Sequence, residues 1–262
     1  MKFNYSLPGF SFNKKTIQYV LIVIVLYLFF LISSLPATVV LSFVAMPKNI
    51  ELNAVSGTIW DGKIDSINVS GINLGTAKWE LHPLNLILGE ISADVSIINK
   101  KEYINTEVKL SYSGKIELEE TRFYVNLSSL QPLTYGMPFS YLGSISGYFP
   151  VSFFQKNNFV GINGKLSLTN LEMTSPQQQS FGDFVVDFRA EEEGATSGKV
   201  KDTGGVLNID GQMMLKKNGQ LNLSAKLAAR ETGGALDKML SFLGKKDISG
   251  RVQFNNNFKL WN

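Results

Sequence analysis

The segment Ile91-Ser92-Ala93-Asp94-Val95-Ser96-Ile97 decides the fold, because apolar and polar residues alternate along it without interruption. Successive side chains of a β-strand point to opposite faces, so this alternation predicts a strand with one apolar and one wet face. The same period of two recurs over residues 107–112 and 221–227. Strands that are apolar on one side only are typical of antiparallel sheets. The sequence therefore predicts a mostly β protein with antiparallel strands.

Two short segments outside this pattern favour helix. Residues 82–89 contain Pro83, suited to a first helical position, and Gly89, suited to the position beyond the end. Residues 234–244 carry apolar side chains at helical spacing. We expect each helix to form a short lid over one end or one face of the sheet. Residues 189–205 are rich in charged residues and glycine, which predicts a solvated loop or hairpin tip.

An apolar run precedes the alternating region. Residues 17–44 include no Asp, Glu, Lys, Arg or His, and as one helix they would span about 42 Å. The hydrocarbon core of a bilayer is about 30 Å thick, and a helix satisfies its own backbone groups in lipid. The run therefore predicts a transmembrane helix, and Pro36 predicts a kink near its exit from the bilayer.

The flanking charges predict how this helix is oriented. Lys2, Lys14 and Lys15 precede it, and Lys48 is the first charged residue after it. The positive-inside rule then leaves the N-terminus in the cytoplasm. The alternative is a signal peptide cleaved after residues 35–37, but the apolar core is too long for one, so an uncleaved single-pass anchor is favoured.

These observations divide the chain into three parts. Residues 1–16 form a short cytoplasmic N-terminus, and residues 17–46 form the transmembrane anchor helix with its exit segment. Residues 47–262 form a β-rich domain outside the cytoplasm, and the alternative is a subdivision near residue 150. The chain has no cysteine, so this domain must be stabilised by burial without disulfides. An anchored, cysteine-free domain suits a bacterial envelope protein better than a eukaryotic surface protein.

The charge balance excludes a nucleic-acid partner. The chain has 25 basic and 22 acidic residues, and removing the three N-terminal lysines leaves 25 − 3 = 22 of each. The exported part is therefore neutral, whereas binding to nucleic acid needs a clustered basic excess.

No pattern in the sequence predicts catalysis. His82 is the sole histidine, and a zinc site without cysteine or a second histidine would need carboxylates around one imidazole. No Gly-x-Ser-x-Gly elbow, phosphate-binding loop or dinucleotide fingerprint is present. We therefore predict no enzyme, no cofactor and no metal, and we expect His82 to help start the short helix beside Pro83.

The most distinctive stretch lies between the anchor and the alternating strands. Residues 56–62 place Trp60 between two glycines, and residues 77–89 carry a second tryptophan on one face of a strand that leads into the short helix. A large aromatic near each end of a small sheet supplies much apolar area. The residues that form the motif are Gly57, Trp60, Gly62, Trp79, Leu81, Pro83, Leu88 and Gly89.

This motif, together with the order of anchor before β-rich domain and a helix at 235–243, resembles the N component of the bacterial type II secretion system. The resemblance implies an inner-membrane accessory of the machine that moves folded proteins from the periplasm across the outer membrane. It implies other secretion components as partners and no catalytic residues. The motif is also similar to AsmA-like anchored β proteins, which favours a curved, groove-like sheet; periodicity alone fits a sandwich or barrel equally.

Two other functions fit the pattern of one-sided strands. An open sheet would expose an apolar face too large to stay bare, which suggests a periplasmic lipid-binding or lipid-transfer module. The candidate apolar groove is formed by Ile91, Val95, Val108, Leu110, Leu221 and Leu223. A chaperone-like protein that offers its sheet edges to a client strand is the third reading.

Overall fold

The fold is one large antiparallel sheet preceded by an apolar helix. The computed structural model describes residues 13–43, 46–134, 140–155, 158–191 and 194–259. Within them, thirteen strands each pair only with their neighbours in sequence. The strands are β1 (Ile50–Gly57), β2 (Asp61–Val69), β3 (Ile72–Leu81), β4 (Glu90–Asn99), β5 (Glu102–Ser111), β6 (Lys115–Asn126), β7 (Ser140–Gln155), β8 (Asn158–Ser175), β9 (Gln179–Ala190), β10 (Thr196–Gly204), β11 (Leu207–Leu215), β12 (Gln220–Ala229) and β13 (Val252–Lys259).

The mostly β, antiparallel prediction is confirmed. The sheet is open, because β1 and β13 each pair on one side only within the described residues, so neither a closed barrel nor a two-sheet sandwich forms. Residue 150, near which the sequence suggested a subdivision, lies inside β7, and the pairing of β7 with β6 and β8 continues on both sides of it.

The charge-free run forms two helices instead of one. They are α1 (Lys14–Ser33) and α2 (Ala37–Ser42), and Pro36 occupies the N-cap of α2. Proline has no N–H and disfavours helix in the residue before it, so the predicted kink is a complete break. The 20 residues of α1 measure about 30 Å, the thickness of a hydrocarbon core.

Parts of the predicted domain organisation lie outside the described residues. These are residues 1–12 of the expected cytoplasmic segment, residues 44–45 of the exit segment and the C-terminal residues 260–262. In the part of the chain that the structure describes, α1 is the one helix long and apolar enough to cross a membrane.

The register of the strands places apolar side chains on one face of the sheet, the apolar face. Trp79 lies opposite Val95 across β3 and β4, and the apolar pairing continues strand by strand to Ala225 opposite Phe254 across β12 and β13. The residues that alternate with these apolar residues along each strand form the opposite, polar face. A shift of one residue in any pair would exchange the two faces of that strand. Register and alternation agree within the regularly paired stretches, and bulges shift the register in the pairs β2–β3, β5–β6, β7–β8, β8–β9 and β9–β10.

Helix α4 (Ala235–Leu243) covers the C-terminal end of the apolar face, as the sequence predicts for this lid. Leu236 and Leu240 are almost fully buried there, and Val252 of β13 has no exposed surface. They share one cluster with buried side chains of β9, β11 and β12. At the other end, the 3₁₀ segment Leu127–Thr134 lies against β3, β6 and β7.

One expectation about local structure is wrong, and a second holds only in part. Helix α3 (Pro83–Ile87) buries none of its residues, so it is no lid; five residues leave too little helix to fold back over the sheet. In the segment 189–205, the connection between β9 and β10 is confined to residues 191–195, because residues 189–190 end β9 and residues 196–204 form β10, and residue 205 lies between β10 and β11. Thr196 and Gly198 occupy apolar-face positions in β10, which conceals its alternation in the sequence.

A single-layer sheet leaves much of the protein accessible. The accessible surface is 17916 Å², whereas a compact monomer of this length exposes roughly 11,000 Å². The excess comes from α1, whose residues are all unburied, and from the parts of the apolar face that neither α4 nor the 3₁₀ segment covers.

Truncation of the buried face of α4 tests its role as a lid. We expect Leu240→Ala to lower the free energy of unfolding by about 2–5 kcal/mol, because the side chain is 2% exposed and a cavity would remain. The matched control is Phe242→Ala on the same helix, where the side chain is 90% exposed and the change should stay within about 0.5 kcal/mol. Equal losses in denaturant titrations would contradict this packing.

Candidate functional site at the junction of the apolar helix and the sheet

The end of α1 is hydrogen-bonded to the turn between β1 and β2. The indole N–H of Trp60 donates to the carbonyl oxygen of Ile32, in the last turn of α1, at 2.9 Å. The backbone N–H of Ile59 donates to the carbonyl of Leu35 at 3.0 Å. Carbonyls at a helix C-terminus lack partners within the helix. The turn thus supplies a partner for one of these carbonyls, that of Ile32, and for the Leu35 carbonyl just beyond the helix, and it holds the first hairpin against the helix end.

The conformation of this turn follows from one threonine and one glycine. The hydroxyl oxygen of Thr58 accepts from the backbone N–H groups of Trp60 and Asp61, each at 3.2 Å. Gly57 has a φ of +84°, and a Cβ there would lie 2.4 Å from the carbonyl oxygen of Asp61. The chain reverses within four residues and presents the Trp60 indole to α1.

The second tryptophan of the motif holds the turn from the other side. The indole N–H of Trp79 on β3 donates to the carbonyl of Ile59 at 3.0 Å. Its ring lies directly over Gly62, where a Cβ would come within 2.0 Å of a ring carbon. The N–H of Leu81 donates to the carbonyl of Trp60 at 2.6 Å. The structure therefore brings five predicted motif residues together at the junction: Gly57, Trp60, Gly62, Trp79 and Leu81.

The three remaining motif residues belong to α3 and its end. Pro83 is the first helical residue, as expected, and Gly89 has a φ of +79° directly before β4. Leu88 is 82% exposed, so it contributes nothing to a core. His82 occupies the N-cap of α3, but its side chain makes no cap hydrogen bond.

The His82 imidazole instead joins a polar network on β4 and β5. Its two ring nitrogens lie 3.2 Å from the Ser92 hydroxyl and 3.1 Å from a carboxylate oxygen of Asp94. Ser92 is fully buried and donates to Glu107 at 2.8 Å. A serine that is closed to solvent and donates to a carboxylate is not placed to attack a substrate with His82 as its base. Among the described residues, no group of three or more His, Cys, Asp or Glu could hold a metal ion.

This network belongs to a row of carboxylates that crosses five adjacent strands of the polar face. Each lies opposite the next in register, and a concavity of about 540 Å³ opens beside them. Lys109 lies 2.5 Å from Glu119 and 3.5 Å from Glu107, and the hydrogen bond to Glu119 raises the pKa of Lys109. Like charges directly opposite each other are destabilising, so Lys109 offsets part of the repulsion. The members of the row are Asp61, Glu80, Asp94, Glu107 and Glu119.

The six residues of the candidate apolar groove fall into two groups on the apolar face. On β4 and β5, Ile91 lies opposite Leu110, and Val95 and Val108 lie beside them, half-buried. Leu221 and Leu223 lie on β12, with the strands β6 to β11 between the two groups. A larger concavity, of about 960 Å³, opens on the polar face of β9 to β13 and is lined by side chains such as Lys199 and Gln212.

A carboxylate clamp that the sequence did not reveal holds the 3₁₀ segment. Glu102 at the start of β5 accepts from the backbone and side-chain N–H groups of Asn126 at 2.9 and 3.0 Å, and from the Ser129 hydroxyl at 2.6 Å. Burial alone would raise the pKa of Glu102, but the hydrogen bonds from Ser129 and Asn126 outweigh it and lower the pKa below its ordinary value. Residues 24 or more apart in sequence form this clamp, so no local pattern could have indicated it.

The fold and the junction define a class of protein: a long apolar N-terminal helix hydrogen-bonded to an open, single-layer antiparallel sheet that is apolar on one face. The chain belongs to the family described as type II secretion system (T2SS), protein N, whose model matches residues 48–255. The resemblance inferred from the motif is thereby confirmed.

Two relatives carry the same name. The type II secretion system protein N of Vibrio cholerae serotype O1 is 24% identical over 259 residues, which cover 94% of this chain and all of that protein. The protein of the same name from Aeromonas hydrophila is 33% identical over 75 residues, covering 28% of this chain and 30% of that protein. No solved structure matches.

The contact between Gly62 and Trp79 can be tested by a double-mutant cycle. We expect Gly62→Ala to lower the free energy of unfolding by about 1–3 kcal/mol, because the new methyl group overlaps the indole ring. In a Trp79→Leu background the same change should cost less, since the ring is gone. Additive losses in denaturant titrations would show that the two residues are not in contact.

The Glu102 clamp predicts a pH dependence of stability. The pKa of Glu102 is lower in the folded state than in the unfolded state. The Glu102 carboxylate therefore contributes fully to the free energy of unfolding above the unfolded-state pKa, and this contribution is lost as the pH falls through the folded-state pKa. We expect Glu102→Gln to cost about 1–2 kcal/mol at neutral pH. The variant should also lack part of the loss in stability that the natural chain shows as the pH falls below 4.5, the ordinary pKa of a glutamate. Parallel pH profiles of the two proteins would contradict the clamp.

Proposed function

We propose that this protein is an inner-membrane accessory or scaffolding component of the type II secretion system that acts in the periplasm by protein contact. The observation that carries the proposal is the junction: Trp60 and Ile59 bond to the carbonyls of Ile32 and Leu35, so the sheet is held against the end of the apolar helix. A component that positions other proteins needs such a fixed connection between its span and its exported body. Membership in the protein N family indicates that the machine concerned is the type II secretion system.

The proposed topology is single-pass. Residues 1–16 are cytoplasmic, residues 17–46 contain the span and its exit segment, and residues 47–262 are periplasmic. The three lysines ahead of the charge-free run support this orientation, and the length of α1 matches a hydrocarbon core.

We propose action by contact and not by catalysis, with no cofactor or metal. His82 and Ser92 form the arrangement most similar to a catalytic pair. The Ser92 side chain is fully buried, and its hydroxyl donates its hydrogen bond to Glu107, so it is not available to a substrate. The partners proposed are other components of the secretion system, and the neutral charge of residues 47–262 supports the proposal that nucleic acid is not among them.

A second candidate function is lipid binding or lipid transfer on the apolar face. The observation that favours it is the pair Ile91 and Leu110, which lie opposite each other and are 46% and 39% exposed. Among the described residues, neither α4 nor the 3₁₀ segment packs over this part of the face. An acyl chain could cover it, and such a ligand would leave the junction unchanged.

Deletion and complementation in a bacterium that depends on this secretion system would test the proposal. We expect deletion to reduce export of the secreted proteins severalfold, the natural chain to restore it, and Trp60→Ala to restore it only in part because the junction is weakened. Phe242→Ala, at an exposed position far from the junction, is the control. Amounts of the folded protein must be equal in each strain.

Two results would count against the proposal. Unchanged secretion and unchanged assembly of the machine after deletion would end it. If deletion instead altered the lipid composition of the envelope and left secretion intact, the second candidate function would replace it.

A further inference from the structure

The strand ends nearest α1, at the C-terminal ends of β3 and β5 and the N-terminal end of β4, carry exposed apolar side chains. We call them the edge patch: Leu84, Ile87, Leu88, Ile91, Leu110 and Tyr112. We propose that the edge patch inserts into the periplasmic leaflet of the membrane that α1 spans, and so fixes the tilt of the sheet on the lipid surface. This inference rests on the proposed function in one respect, namely that α1 spans the membrane.

The exposure of these residues is far above that of ordinary apolar side chains. Leu84 is 75% exposed, Ile87 and Leu88 are each 82% exposed, and Tyr112 is fully exposed. Residues 83–89 include Asn85 as their one polar residue and have no charge. Contiguous apolar surface of this kind marks an interaction site in a folded protein.

A short chain of hydrogen bonds places the edge patch at the level of the helix end. The Trp60 indole bonds to Ile32 at 2.9 Å, and the Trp60 carbonyl accepts from Leu81 at 2.6 Å. Helix α3 begins two residues after Leu81. Because α1 is as long as the hydrocarbon core is thick, Ile32 reaches the boundary between acyl chains and headgroups. The α3 side chains then lie at the same boundary.

The edge patch extends from α3 into the strands that follow it. Ile91 follows α3 and lies opposite Leu110, and Tyr112 occupies the turn just beyond Leu110. On the other side, Phe43 at the end of α2 is 85% exposed. Aliphatic and aromatic side chains on a short segment that lies flat are what a membrane interface accepts, with tyrosine at the headgroup level.

A lipid surface is favoured over a protein partner by this geometry. The edge patch lies next to the end of the proposed span, so the bilayer surface is within its reach without any further partner. The carboxylate row, which a membrane with anionic lipids would repel, lies on the polar face, with Asp94 and Glu107 pointing away from Ala93 and Val108. The apolar face therefore turns toward lipid at this edge, and the acidic residues turn away.

Single-cysteine labelling of the full chain tests the proposal, since the natural sequence has no cysteine. Three variants, Leu88→Cys, Ile24→Cys and Thr232→Cys, would each carry an environment-sensitive fluorophore. They would be reconstituted in vesicles of phosphatidylethanolamine and phosphatidylglycerol with lipids spin-labelled near the start of one acyl chain, which report on the probe at 88, or near its end, which report on the probe at 24. We expect quenching of the probe at position 88, directly after α3, and none at 232, which lies at the opposite edge of the sheet.

Two matched double variants show whether the side chains of α3 cause the insertion. In the Leu88→Cys protein, Leu84→Ser with Ile87→Ser should lower the ratio of inserted to withdrawn probe at least about tenfold. Phe242→Ser with Ile248→Ser removes a comparable exposed apolar area at the opposite edge and should leave the ratio unchanged. All four replaced side chains are exposed, so folding should persist, and thermal unfolding of each variant checks it.

The outcomes separate this inference from the proposed function. Quenching at Ile24→Cys without quenching at Leu88→Cys leaves the span intact and overturns the inference. Absence of quenching at both positions removes the span itself, and with it the proposed topology. If the Leu88→Cys probe is shielded from water but not quenched by lipid, and spin labels there couple between molecules, a second copy covers the patch and the inference is wrong.

Discussion

Hydrogen bonding between strands that are consecutive in sequence is the constraint on which the whole structure depends. Each strand satisfies its backbone groups on the strands directly before and after it, so thirteen strands of the described chain form one layer. In such a ladder the side-chain period of two collects most of the apolar residues on a single face. The same constraint that makes the sheet easy to assemble leaves one broad face without a second sheet to cover it.

The protein covers that face unevenly, and the uneven covering indicates how it acts. Helix α4 seals the C-terminal end, where Val252 is fully buried, and the 3₁₀ segment clamped by Glu102 lies over the far ends of β3, β6 and β7. The edge next to α1 receives no such cover in the described residues. It is also the edge that Trp60 holds against the helix. A sheet that is closed far from its helix and apolar beside it is suited to work at a lipid surface.

Local sequence patterns predicted most elements because those elements depend on neighbours in the chain. The alternation over residues 91–97 became β4, and the amphipathic segment became α4 at Ala235–Leu243. The errors arose where the polarity of the side chains does not match the position that they occupy in the structure. Strand β10 was hidden because Thr196 and Gly198 take apolar-face positions. Helix α3 looked like a lid because its residues are apolar, yet too few residues follow Pro83 for it to fold over the sheet.

The sequence by itself determined the charge-free run, the period of two, the family motif and the absence of cysteine. Tertiary structure alone decided which strands face each other at which residue, and therefore that Asp61 and Glu119 end one row of carboxylates. It also decided that the Trp60 indole bonds to Ile32, 28 residues earlier. The physical reason is that periodicity assigns a side chain to a face, whereas register is a relation between segments distant in sequence, set only when their backbones pair.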